Sequence, residues 1–163
     1  MKSKAPAARW PLPDWEKVQP FPFATARGAF AGMTQSEDRI ELEYYRRHDG
    51  SLVAIAKFGS LSEGAPGLVH GGAILTALDE ALGAAAWLLE RPVMTARLTT
   101  EFRKGVPVGA TMLVETRFIR ERHRLVLLEG TMTGDDGQVY AYADGRFMVL
   151  AEADQKRILG RLA

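Results

Sequence analysis

The alternation of apolar and polar positions first becomes regular near residue 39. Ile40, Leu42 and Tyr44 alternate with Glu41 and Glu43, a period of two that predicts a half-buried strand. Asp49-Gly50 follows as a turn and residues 52–58 read as a second strand, so the pair forms a β-hairpin. Residues 59–67, with Ser, Glu, Gly and Pro, read as a loop. The pattern then changes. Residues 71–89 are rich in Ala and Leu, contain no proline, and have Thr76, Asp79 and Glu80 as their only polar side chains. A helix apolar on nearly every side belongs in a core, and Pro92 ends it.

Four more strands follow at 93–102, 111–120, 124–133 and 138–150, rich in Val, Leu, Ile, Thr, Phe and Tyr. Turn signals at 105–109, 121–123 and 135–137 separate the four. Simple alternation in the strand 93–102 puts Met94, Ala96, Leu98 and Phe102 on one face and Thr95 and Arg97 on the other. Thr95 is therefore expected to point away from its own helix. The short, evenly spaced connections predict consecutive antiparallel neighbours. The order β-β-α-β-β-β-β predicts an α+β fold, one antiparallel sheet wrapped around one long central helix. Pairing the open sheet edge with a second copy would close it, which makes a homodimer, or a dimer of dimers, the expected assembly.

The domain is expected to cover residues 39–150, with an arm at 1–38 and a tail at 151–163 whose residues 152–162 form a short amphipathic helix or a frayed end. Five prolines lie in the first 22 residues, beside Trp10, Trp15, Phe21, Phe23 and Phe30. That many aromatics predict an arm partly packed on the domain or a partner chain, although the proline content also suits a disordered leader. A chain of 163 residues fits one domain, and 47% apolar with 25% charged residues is ordinary for a soluble globular protein. With 21 Lys+Arg against 20 Asp+Glu, no net charge drives nucleic-acid binding. The chain has no cysteine, which excludes a disulfide framework, a thiolate metal site and a Cys nucleophile; three histidines leave few ways to build a metal centre, and none is expected. The start lacks an apolar signal core, and the apolar run 81–89 is too short to span a bilayer, so a cytoplasmic protein is expected.

Two features can carry chemistry. Residues 66–72, Pro-Gly-Leu-Val-His-Gly-Gly, bring Gly71 and Gly72 to a helix start. Free N–H groups there attract negative charge and can form an oxyanion hole for acyl transfer. The same glycines also suit a plain tight turn. The second feature is a stripe on the helix, Gly72, Thr76, Asp79 and Gly83, able to line a cleft with Asp79 as base or nucleophile. An ion pair to an arginine is the structural alternative for Asp79 and for Glu80, which points about 100° away around the helix.

Residues 66–72, Asp79-Glu80-Ala81 with Gly83, Met94-Thr95-Ala96-Arg97-Leu98, Val106-Pro107-Val108-Gly109 and the Asp136-Gly137 turn together resemble the PaaI-type hotdog-fold acyl-CoA thioesterases. The likeness spans about residues 39–150. It implies a hotdog fold, at least a dimer with the site where two subunits meet, and hydrolysis of an acyl-CoA to free acid and CoA. Carried over by position, Asp79 is the general base or nucleophile, the Gly71 N–H the oxyanion donor with His70 beside it, and Thr95 the residue orienting water. CoA enters only as part of the substrate, and no cofactor is expected. Many relatives have Asn or Gln six positions before the His; Gly64 stands there here, and the neighbouring Glu63 is an acceptor unable to polarise a carbonyl. Gly72, Arg103, Lys104 and Arg122 are expected to contact the substrate, the three cations holding CoA phosphates, though such basic turns are also ordinary solvated surface. Two other functions fit the same residues: a non-catalytic acyl-CoA-binding module, and an acyl-thioester hydratase or dehydratase using His70.

Overall fold

The computed structural model describes residues 10–23 and 38–161. Phe30, one of the arm aromatics, lies outside them. The strands are β1 (Glu16–Val18), β2 (Ile40–Arg46), β3 (Leu52–Phe58), β4 (Val93–Phe102), β5 (Thr111–Arg122), β6 (Leu125–Thr133) and β7 (Val139–Val149), with helices α1 (Gly71–Leu88) and α2 (Glu152–Gly160). All seven strands form one antiparallel sheet, in the order β1-β2-β3-β5-β6-β7-β4. It curves around α1, whose Ala77, Leu78, Ala81, Leu82 and Ala84 are wholly buried. Leu82 and Leu78 reach the sheet over Gly130, where a Cβ would come within 3.2 Å of Leu82. Losing a side chain such as Leu82 from this layer would cost about 2–5 kcal/mol.

Consecutive strands are not always neighbours, contrary to the even-spacing expectation. β4 lies at the far edge beside β7, and residues 103–110 carry the chain back to β5, which pairs with β3. A long central helix occupies the space between the sheet halves, and the crossover passes under its N-terminus. There Val69 N–H donates to Val106 O at 2.8 Å, and Val108 N–H to Gly67 O at 3.1 Å. These bonds fix the loop that starts α1.

The three residues of β1 are too few to show a period, so alternation alone missed this strand. It pairs with β2 from Glu16↔Arg46 to Val18↔Tyr44. Beyond it, Phe21 is buried edge-on against Tyr44, with centroids 5.9 Å apart. Trp10 and Trp15 pack on the opposite sheet face, over Tyr45, Val53, Ile55 and Leu113. No described helix is long and apolar enough to cross a membrane.

Simple alternation fails within β4. Its register with β7 runs Thr95↔Phe147 and then Arg97↔Arg146, leaving Ala96 unpaired. This bulge inserts one residue and reverses the facing of everything after it. Thr95, like the buried Phe147 opposite, therefore faces α1, and Leu98 faces it as well. The expectation that Thr95 points away from its own helix is overturned by that single extra residue, and Met94 lies on the other face.

Candidate active site

At the start of α1, His70 is the N-cap, with φ −60° and ψ 137°. The Gly72 N–H donates to its Nδ1 at 2.9 Å, so a neutral His70 carries its proton on Nε2 and the Gly72 N–H is occupied. The Gly71 N–H, at the first helical position, has no acceptor among the described residues. The preceding loop is held tightly: His70 N–H donates to Ser62 O at 2.7 Å, and Gly67 N–H to Glu63 Oε1 at 2.6 Å. Glu63 thus acts as an acceptor. A Cβ on Gly64 would stand 2.9 Å from the His70 Cα, so neither Asn nor Gln fits at this position with the loop as it is.

Two turns along the helix, Thr95 Oγ1 donates to Asp79 Oδ1 at 2.7 Å. No hydrogen bond among the described residues ends on the second oxygen of Asp79, and neither Asp79 nor Glu80 has an ion pair there. The arginine alternative is not realised. Burial holds the Asp79 carboxyl above its ordinary value, and the Thr95 bond opposes that rise. Burial also pushes Glu80 up to about 7, with the charge of Asp79 adding to it. The Tyr44 hydroxyl is buried without a hydrogen-bond partner, and burial followed by the charge of Glu80 holds it protonated. Sequence reasoning missed this polar corner because nothing along the chain links residue 44 to residue 80.

A cavity of about 500 Å³ opens beside the first two turns of α1, lined among others by Arg39, Leu61, His70, Gly72 and Thr76. Asp79 lies one turn past its lining on the same stripe. A larger cavity, about 860 Å³, sits at the other end of α1 among Leu88, Leu89, Phe118 and Leu128 and holds none of the expected site residues. Of the expected phosphate contacts, Arg103 pairs with Glu101 at 3.0 Å beside the Tyr142 ring. Lys104 bonds Asp136 at 3.0 Å and Gln138 at 2.9 Å. Arg122 lies at the opposite end of the strands, level with Met94 through Leu125 and Met148. About 30 Å of strand separates it from Arg103, so one chain cannot bring these cations to one phosphate group.

A single antiparallel sheet curved around one long helix, with a glycine pair at the helix start and an acid on its open stripe, is the hotdog class of fold. The Thioesterase superfamily model matches residues 66–141, which hold both features. The chain is 30% identical over 118 residues to Acyl-coenzyme A thioesterase THEM4 of Xenopus laevis, covering 70% of this chain and 53% of that protein. It therefore spans about half the length of the curated relatives it matches. Among solved structures it is similar to the thioesterase superfamily protein RHA08564, with TM-score 0.62, 27% identity and 66% and 53% of the two chains covered. It is also similar to the BH2602 protein from Bacillus halodurans, solved with CoA, with TM-score 0.58, 25% identity and 68% and 74% covered. Over residues 66–141 the chain is similar to the thioesterase superfamily.

Proposed function

We propose that this domain hydrolyses acyl-CoA thioesters at a site built from two copies of the chain. Asp79 of one copy acts as general base or nucleophile, and the Gly71 N–H of the other binds the oxyanion. The observation that carries this reading is the Asp79–Thr95 hydrogen bond of 2.7 Å, which fixes one carboxylate oxygen and leaves the other for water or the thioester. Burial makes that carboxylate a stronger base than an exposed aspartate, which favours proton removal from water. The relatives named acyl-CoA thioesterases and the CoA-bound neighbour support the substrate class.

The need for a second copy follows from helix geometry. Eight residues separate Gly71 from Asp79, a rise of about 12 Å along α1, whereas one carbonyl must reach both groups within about 3 Å. β4 is an edge strand with Met94 58% and Phe102 54% exposed, and pairing it across a two-fold axis would cover both. Phe102 also touches Gly71, its ring 3.6 Å from where a Cβ would be, so this edge runs alongside the oxyanion donor. The reaction draws on water, backbone amides and side chains; CoA leaves as the thiol product. The assembly is thus a homodimer or a dimer of dimers.

His70 gives a hydratase little to work with, because its Nδ1 is committed to the helix cap. The test is release of free CoA from a panel of acyl-CoAs by the parent chain and by Asp79→Asn. Loss of about 10²–10⁴-fold in kcat with acyl-CoA binding retained supports the reading. Unchanged turnover in Asp79→Asn refutes the mechanism, and binding without any parental turnover identifies a binding module.

A further inference from the structure

The bulge at Ala96 has a counterpart in β5. The register of β5 with β6 runs Phe118↔Leu128 and then Arg120↔Leu127, leaving Ile119 unpaired. Val126 and Leu128 are buried in the core, so Leu127 between them lies on the outer face, and the extra residue turns Arg120 outward beside it. In β4 the bulge turns Arg97 outward in the same way, opposite Arg146. Arg146 stands between Gly145, where a Cβ would meet Leu82 at 3.1 Å, and the buried Phe147, so it also points away from α1. At one level of the sheet, Arg97, Arg146, Leu127 and Arg120 therefore form a row across β4, β7, β6 and β5. Arg122 follows Arg120 on the same face, opposite Leu125. These arginines are exposed, and none has a carboxylate partner among the described residues. Even Asp144, two positions before Arg146 on β7, makes no ion pair with it. Elsewhere on this face Arg117 pairs with Glu129, and Arg103 with Glu101. Like charges directly opposite across a strand pair are destabilising, and Arg97 and Arg146 are so placed.

We propose that the two bulges build an anion site on the outer sheet face, in which Arg97, Arg120, Arg122 and Arg146 bind a ligand with clustered phosphates. Adjacent strands lie about 4.8 Å apart, so the row spans about 14 Å, and long side chains can close from both ends over its middle. Guanidinium forks grip phosphate oxygens two at a time. Leu125, Leu127 and Met148 are half-buried between the cations and form an apolar floor for the rest of the ligand. Pairing β4 with a second copy extends the sheet in its own plane and leaves this face open. Two sources share the chemistry: the phosphate end of a CoA substrate, which rests on the hydrolase reading above, and a free phosphate compound. Position favours CoA. Thr95 and Arg97 flank the bulge, so the strand that holds Asp79 on the inner side carries the row on the outer side, and the flexible arm of CoA joins its thioester to its phosphates.

The experiment uses the parent chain, Arg146→Gln, Arg120→Gln and, as a charge control, Arg157→Gln, whose arginine pairs with Asp154 on α2. Melting is first measured with inorganic pyrophosphate and with sodium chloride of equal ionic strength. The parent Tm is expected to rise at least about 2 °C more in pyrophosphate, and each row variant to lose at least about half of that rise. Then kcat/KM is measured on an acyl-CoA and on the matching S-acyl-pantetheine, which lacks the phosphates. With CoA as the source, the row variants should lose about tenfold on the acyl-CoA and less than about twofold on the acyl-pantetheine. Loss of the pyrophosphate response with an unchanged ratio of the two substrates supports the site and assigns it to a free phosphate compound. A parent Tm that responds alike to both salts, together with an unchanged ratio in the row variants, overturns the inference. Equal losses in Arg157→Gln overturn it as well, since they would reflect net charge alone. No parental turnover of either thioester refutes the hydrolase reading, and the pyrophosphate measurement then decides this inference by itself.

Discussion

Glu80→Gln tests the electrostatics of the open helix stripe. Glu80 is half-buried on α1 and has no cationic partner among the described residues. Burial first, and then the charge of Asp79, push its carboxyl from 4.5 to about 7. The folded state therefore binds this proton more tightly than the unfolded chain does. The resulting stability is complete below about pH 4.5 and is lost as pH rises to about 7. At about 1.4 kcal/mol per pH unit the upper bound is about 3.5 kcal/mol, and solvent reaching the side chain reduces it to about 1–2 kcal/mol. Urea unfolding at pH 5, 6, 7 and 8 measures it. The stability difference, Glu80→Gln minus parent, should move in the variant's favour by about 1–2 kcal/mol from pH 5 to pH 8. A difference independent of pH across this window would refute the argument, since it would mean that the folded state leaves Glu80 at its ordinary value.

Two further predictions follow from particular contacts. Thr95→Val removes the hydrogen bond that lowers the Asp79 carboxyl, so the acidic limb of the kcat/KM–pH profile should move to higher pH, with kcat down about tenfold; an unmoved limb would show that Thr95 does not act through Asp79. Gly64→Ala forces a Cβ to within 2.9 Å of the His70 backbone and should cost about 1–3 kcal/mol in urea unfolding, whereas parental stability would contradict the locked-loop account.

Much of this architecture was legible because its periods are unmistakable. The strand Ile40–Arg46 alternates cleanly, and an Ala-rich helix without proline has few other destinations than a core. Gly71 and Asp79 were singled out from residue type and helical spacing. What stayed hidden was set by tertiary structure. A bulge at Ala96 has no composition signal, yet it decides that Thr95 meets Asp79 in its own chain. The crossover at 103–110 looks like an ordinary turn, and only packing around α1 sends it past two strands. Lys104 looked free for phosphate, because its bonds to Asp136 and Gln138 span more than thirty positions. Gly64 looked like a missing functional amide, and the close approach of His70 gives it a steric reason.

The two-copy site is tested most directly by mixing two inactive chains. Gly71→Pro removes only the free N–H: proline suits the first helical position, and the extended backbone of His70 already satisfies what a following proline demands. Alone, Gly71→Pro and Asp79→Asn should each lose at least about 100-fold in kcat. Co-assembled in equal amounts, random dimers carry one intact site in half of the pairs, and acyl-CoA hydrolysis should return to about a quarter of the parental rate. A mixture no more active than its separate components would contradict the account, because it would confine Asp79 and its oxyanion donor to one chain.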